Sequence, residues 1–175
     1  MQIETINLYD LQAVTELSAV RCSSFAEAAA VCLARYHEKK VNVVVLGDLQ
    51  SEFELVWGQV SEEQRNSYND LEEATEDGAY CLAIWVIEKL TEYHTLRKSQ
   101  KQTGIDFFLN HKTDTQNPKP QARLEVSGIL KGTTSKIKAR LNQKIAQSMQ
   151  SDDLEIPAFI IIVEFSKPSI TVKKR

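Results

Sequence analysis

The six-residue run Ala158–Val163 (Ala-Phe-Ile-Ile-Ile-Val) carries no polar side chain and follows Pro157 directly. It is far too short to span a bilayer, which takes about 20 apolar residues in a helix. Its β-branched residues favour a strand, and its lack of alternation means that neither face is wet. A strand buried on both faces needs a covering layer on each side. The run therefore predicts an α/β (α+β) fold: a mixed central sheet with flanking helices.

The rest of the chain supplies candidates for those layers. Residues 9–20 and 24–38 read as two helices. Ser24 caps the second, and Phe25, Ala28, Ala29, Cys32, Leu33 and Tyr36 follow helical spacing. Val41–Leu46 and Phe53–Trp57, separated around Gly47-Asp48, read as a β-hairpin. Asn69 or Asp70 caps a long helix whose buried stripe is Leu71, Ala74, Thr75, Gly78, Leu82, Trp85 and Val86, with Tyr93 at its far end. From Gly104, Ile105, Phe107 and Leu109 alternate with Asp106 and Phe108 in a strand. A polar turn over 111–120, with Pro118 and Pro120, leads to the strand Ala122–Val126, which stops at Gly128. Thr133 or Thr134 caps a basic helix to about Met149, with Ile137, Leu141, Ile145 and Met149 in line, and a last strand covers Ser169–Lys173. These elements make one domain over 1–175, with a helical N-terminal part and first strand in 1–50 and the remaining core in 51–175.

Composition narrows the function. Apolar residues are 42% of the 175, enough for a real core. The three cysteines (Cys22, Cys32, Cys81) form no CxxC pair, and His37, His94 and His111 show no ligand spacing, which argues against zinc. Cys32 and Cys81 read as small buried side chains in a reducing compartment. Glu4, Asp10 and Glu16 are incompatible with the apolar core of an export signal. The expectation is a soluble cytoplasmic protein with no membrane association. No Walker-type glycine loop is present, so nucleotide hydrolysis is not indicated.

The net charge of −3 conceals an uneven distribution. Residues 48–96 hold twelve acids against Arg65 and Lys89, whereas residues 97–150 hold eleven bases against Asp106, Asp114 and Glu125. The basic segment can be an electrostatic footprint for nucleic acid, through Arg97, Lys98, Lys101, Arg123, Lys136, Lys138 and Arg140. The acidic segment can dock a basic protein partner. Equally, the two halves can neutralise each other across the folded surface.

Two of the three acids in the basic segment interrupt apolar strands. Asp106 lies in Gly104-Ile105-Asp106-Phe107-Phe108-Leu109, and Glu125 lies in Ala122-Arg123-Leu124-Glu125-Val126-Ser127-Gly128. A carboxylate among large apolar neighbours is costly to desolvate unless paired or metal-bound. If the strands are neighbours, two carboxylates that close raise one another's pKa unless a cation sits between them, and Mg²⁺ or Mn²⁺ suits oxygen ligands. The competing reading places both acids on a wet sheet face, paired with Arg123 or a nearby lysine.

The order helix–strand–strand–helix–strand from residue 70, with those two acids on consecutive strands nineteen residues apart, resembles the PD-(D/E)xK (restriction-endonuclease-like) nuclease core. The motif resemblance covers about residues 52–130 and the topology 70–165. Stretches such as Glu72-Glu73-Ala74-Thr75-Glu76-Asp77-Gly78, Thr103–Phe107 and Ala122–Gly128 also resemble a group of uncharacterised bacterial proteins. The resemblance implies a metal-dependent phosphodiester hydrolase acting on nucleic acid. Asp106 and Glu125 would hold Mg²⁺ or Mn²⁺, and a helix acid, Glu76 ahead of Glu72, would join them. Position 127 departs from the motif: Ser127 stands where the family has lysine. A lysine reaching in from Lys131, Lys101 or Lys98 would restore the charge. The alternative is a catalytically inactive nuclease fold that binds nucleic acid or a protein partner. Nucleases of this kind are often dimers, so the resemblance also admits a homodimer.

Overall fold

A computed structural model of the chain describes residues 3–116 and 118–175. The apolar run is strand β7 (Ala158–Glu164), and every one of its residues is buried. The remaining strands are β1 (Glu4–Asn7), β2 (Lys40–Gly47), β3 (Ser51–Val56), β4 (Tyr93–Lys98), β5 (Phe107–His111), β6 (Ala122–Ile129) and β8 (Ser169–Lys174). Together they form one eight-stranded mixed sheet in the order β1-β3-β2-β8-β7-β6-β5-β4. The helices are α1 (Ala19–Leu33), α2 (Glu62–Ser67), α3 (Leu71–Leu90) and α4 (Thr134–Ser148). The fold is thus α+β, a mixed sheet with flanking helices, as β7 alone requires.

Alternation within β6 and β7 assigns the two layers. Leu124, Val126, Phe159, Ile161 and Val163 join the main hydrophobic core with α1 and α3. Arg123, Glu125 and Ser127 point to the opposite face, where their side chains meet Ser148, Lys144 and Arg140 of α4. Strand β6 is therefore clamped between α3 and α4 while pairing parallel to β7 and antiparallel to β5.

The helix caps follow local chemistry. Asp70 accepts the N–H groups of Glu72 and Glu73 at the start of α3, and Thr133 accepts that of Lys136 at the start of α4. Two glycines permit close approaches. A Cβ on Gly128 would stand 2.3 Å from the Thr75 carbonyl oxygen, so α3 lies directly on β6 there. Gly104 has φ +73, and a Cβ on it would stand 2.3 Å from the Gln147 carbonyl oxygen of α4.

Several boundaries differ from expectation. The helix expected over 9–20 is a 3-10 segment, Leu8–Val14, that buries Leu8 and Leu11. Thr15 is then extended because it bridges Thr95 at the edge of β4. Helix α1 starts at Ala19, capped by Ser18 rather than Ser24; Ser24 lies inside it, hydrogen-bonded to Tyr68. Tyr93 is not on α3: the chain turns at Thr91 and runs back as β4, where Tyr93 packs on His111 and Phe159. The order from residue 70 is consequently helix, three strands, helix, strand. Strand β5 begins at Phe107, with Asp106 just outside its end. Residue 117, inside the expected polar turn, lies outside the described residues.

The hairpin β2–β3 forms as expected, but it joins the sheet through β8, which pairs parallel with β2 and antiparallel with β7. Residues 1–50 therefore contribute two strands to the same sheet. Among the described residues no helix is long and apolar enough to cross a membrane.

Gly128→Ala forces α3 away from β6. Urea unfolding should show a loss of about 1–3 kcal/mol, the range for overpacking, against a change within about 0.5 kcal/mol for the exposed control Val20→Ala.

Candidate functional site

The β5–β6 register pairs Phe107 with Leu124, which sets position 106 opposite position 125. The Asp106 N–H still donates to the Leu124 carbonyl at 2.9 Å. One step further the chain swings away through Gly104, and the Val126 N–H would lack a backbone partner. The Asp106 carboxylate takes that place: Oδ2 accepts from Val126 N at 2.8 Å. Asp106 thus ends the ladder with its own side chain, in the plane of the sheet and within reach of groups from both layers.

From α3 comes Tyr80. Its ring is buried against Phe25 and Phe107, and its hydroxyl lies 2.9 Å from Asp106 Oδ1 and 2.6 Å from Glu76 Oε1. A phenol carries one proton, so it cannot fully satisfy both carboxylates. Burial, followed by the charge of Asp106 and the bond to Glu76, raises the Tyr80 pKa strongly. The hydroxyl therefore stays protonated and acts as a donor. Glu76, one helical turn before Tyr80, is itself exposed.

From α4 come two cations. Lys144 Nζ donates to Glu125 Oε1 at 2.6 Å, and Arg140 Nη1 donates to Ser127 Oγ at 2.7 Å. Glu125 is only 1% exposed; its second oxygen, Oε2, meets no N–H or hydroxyl donor among the described residues, and the carboxyl can hydrogen-bond the neighbouring Asp106 carboxylate only by keeping its proton. Burial pushes its pKa up first, and the neighbouring Asp106 charge adds to that. Lys144 opposes both, yet the carboxyl still rises from 4.5 to about 8. A short ion pair and an elevated acid pKa coexist here because the desolvation of a buried carboxylate outweighs one cation.

No family model matches the chain, no curated protein matches it, and no solved structure matches it.

The sequence candidates sort clearly. Asp106 and Glu125 come together with Ser127 on the same strand as Glu125, and Glu76, expected from the resemblance and not from helical phase, reaches Asp106 through the Tyr80 hydroxyl. Lys131 does not: it is exposed on the β6–α4 connection and is absent from the cleft lining, because the chain must turn there to enter α4. Nor is Lys101 or Lys98 the lysine on the carboxylates. Lys101 is exposed, and Lys98 lies over the Tyr80 ring at 4.5 Å. Lys144 holds that position. Its signal was present: at about 100° per residue, residue 144 falls about 20° from Ile137, inside the apolar stripe of α4. A lysine in such a stripe needs a buried acid. Tyr80 likewise sits among the buried residues of α3, and a buried phenol calls for a polar partner.

The basic candidates also separate. Arg123 is not available to a ligand. It is 4% exposed, with its guanidinium on Ser148 O, Ser151 Oγ and Asp152. Residue 123 alternates onto the α4 face and must bury its charge against that helix end. Arg97 and Lys138 are exposed but line no cleft at the carboxylates, whereas Lys98, Lys101, Lys136 and Arg140 do. The acids of 48–96 spread over β3, α2 and α3, and Asp48, Glu54 and Glu88 pair with Lys173, Lys40 and Lys112 from elsewhere in the chain.

Among the described residues no three His, Cys, Asp or Glu side chains converge as a ready-made metal-ligand set, since Glu76 reaches Asp106 only through Tyr80. Two carboxylates do stand side by side, one with an orphaned buried oxygen. Mg²⁺ commonly takes one or two carboxylates and keeps water for its other positions, so that pair fits such an ion.

A carboxyl whose pKa is higher folded than unfolded binds more protons in the folded state, so its effect on stability becomes less favourable as pH rises through the window from about 4.5 to about 8. In metal-free buffer the urea midpoint of the wild type should therefore fall more steeply over that window than that of Glu125→Gln. Parallel curves would mean that Glu125 titrates normally.

Proposed function

We propose that this cleft hydrolyses phosphodiester bonds of nucleic acid with a bound Mg²⁺ or Mn²⁺ ion. What supports the reading above all is the pairing of Asp106 and Glu125 across neighbouring strands, with a buried unpartnered oxygen on Glu125 and Lys144 on the other. The arrangement parallels the PD-(D/E)xK pattern that the sequence resembles, including a helix acid, Glu76, at the same point. Asp106 and Glu125 would hold the ion. When bound, it would lower the pKa of a water and polarise the scissile phosphate.

The chain's own residues account for the rest. Tyr80 and the Val126 N–H fix the Asp106 carboxylate from two sides, which sets its orientation before any ligand arrives. Lys144 takes over the role that Ser127 cannot fill. Its ammonium, anchored on Glu125, is placed to orient an attacking water and to offset charge developing on the phosphate. Ser127 becomes a rest for Arg140, whose remaining N–H groups face the cleft as phosphate donors.

A second reading keeps the fold and drops the chemistry. Lys144 already compensates part of the Glu125 charge, and Arg140 already occupies Ser127, so the same cleft could bind a nucleic-acid backbone without a metal.

Calorimetric titration of Mn²⁺ followed by a nuclease assay separates the two. The wild type should bind Mn²⁺ and cut nucleic acid, and Asp106→Ala should lose both. Lys144→Ala should keep metal binding but cut at least about 100-fold more slowly, the usual loss for a group assisting proton transfer. Mn²⁺-independent, salt-sensitive binding with no cleavage would select the second reading.

A further inference from the structure

The carboxylate centre does not sit at the bottom of one pocket. It stands between two clefts that share Glu76, Asp106, Lys144 and Gln147. One, of about 590 Å³, runs along the end of β6 between the start of α3 and the length of α4, and presents Lys136 and Arg140. The other, of about 500 Å³, runs along the 98–105 loop and presents Lys98 and Lys101. Both open to solvent. Across the surface, Lys136 and Arg140 (with Glu72) lie on one side of the shared Glu76, Asp106 and Lys144, and Lys98 and Lys101 lie on the other, while the buried Glu125 lines neither cleft.

Resting on the hydrolase reading, we infer that the substrate is a continuous phosphodiester chain that crosses the site from one cleft to the other, so that scission falls at internal bonds and needs no free end. An enzyme that trims termini needs a wall on one side of the scissile bond to stop the chain. Here that side is a second cleft, lined with its own cations. Each cleft has the volume of a pocket for a drug-sized ligand, about 300–1,000 Å³, enough for flanking nucleotides on either side. A chain laid through both clefts would bring its flanking phosphates to these cation pairs, and cations neutralise backbone phosphate irrespective of sequence. Among the described residues Tyr80 is the one aromatic side chain lining either cleft, and its ring packs on Phe107 with the Lys98 ammonium over it. Base stacking is thus not on offer, and recognition goes through the backbone.

The test compares covalently closed and linear forms of the same single-stranded DNA and RNA, together with a closed duplex circle, using the full chain. Binding is read by fluorescence anisotropy with Ca²⁺ and scission by gel with Mn²⁺. At least one closed circle should bind within about 2-fold of its linear form. Lys98→Gln with Lys101→Gln, and separately Lys136→Gln with Arg140→Gln, should each weaken binding about 10-fold and lower the salt slope by about 1–2, the loss expected for two phosphate contacts. Mn²⁺ should open the circle. Linear forms that bind while every circle fails, trimming confined to ends, one cation pair without effect, or no binding to any form would each overturn the inference. End-trimming would leave the hydrolase reading standing. Two-cleft binding of a circle without scission would uphold the path of the chain and sink the hydrolase reading instead.

Discussion

At Gly128 the backbone and the Thr75 methyl of α3 rest directly on the β6 backbone, leaving no room for a side chain at position 128. That contact determines the geometry of the site. Glu76 and Tyr80 follow Thr75 by one residue and by just over one turn, so the depth at which α3 sits on β6 decides whether the Tyr80 hydroxyl reaches Asp106. On the other face Gly104 lets the chain pass against the end of α4, and α4 in turn carries Arg140 and Lys144 over Ser127 and Glu125. Two absent methyl groups thus bring three layers to a point. The site is a junction of backbone approaches first and a set of charges second.

Charges at that junction are unevenly matched. Asp106 has a backbone N–H and a shared phenol proton, Glu125 has one ammonium for two oxygens, and Glu76 shares the same phenol. Burial makes the deficit expensive for Glu125, which answers by holding its proton to higher pH. Structural ion pairs in cores are usually better satisfied than this. A stabilising role alone would be served by replacing Glu125 with an apolar residue, as in most buried strands.

How much could be read beforehand depended on whether a signal was local. Strand β7 needed no context: six apolar residues after a proline are too few to cross a bilayer and favour burial on both faces of a sheet. Asp106 and Glu125 announced themselves by interrupting apolar alternation, whereas helical phase pointed to Glu72 and only the family resemblance put Glu76 first. Strand β4 was missed because Tyr93 lies in phase with the α3 stripe; what ends the helix is the extended Thr91 and the return of the chain along β5, neither of which leaves a glycine or proline in the sequence. Arg123 was misjudged because a cation two residues from Glu125 looks like a ligand, whereas strand alternation sends it under the end of α4. Lys144 was passed over for Lys131, Lys101 and Lys98, which flank the two acid-bearing strands in sequence. Its place in the apolar stripe of a basic helix becomes informative only once that helix is known to cover β6.

Strand β8 has a role that its short length conceals. It is the sole link in the sheet between β1-β3-β2 and β7-β6-β5-β4. Residues 40–47 must therefore wait for residues 169–174 before the two half-sheets can become one. During synthesis the first half emerges with an open β2 edge and no partner for it. Closing that gap joins segments more than a hundred residues apart, the kind of pairing that slows folding and leaves strand edges exposed in the meantime. In a growing chain the two halves stay separate until β8 has been made.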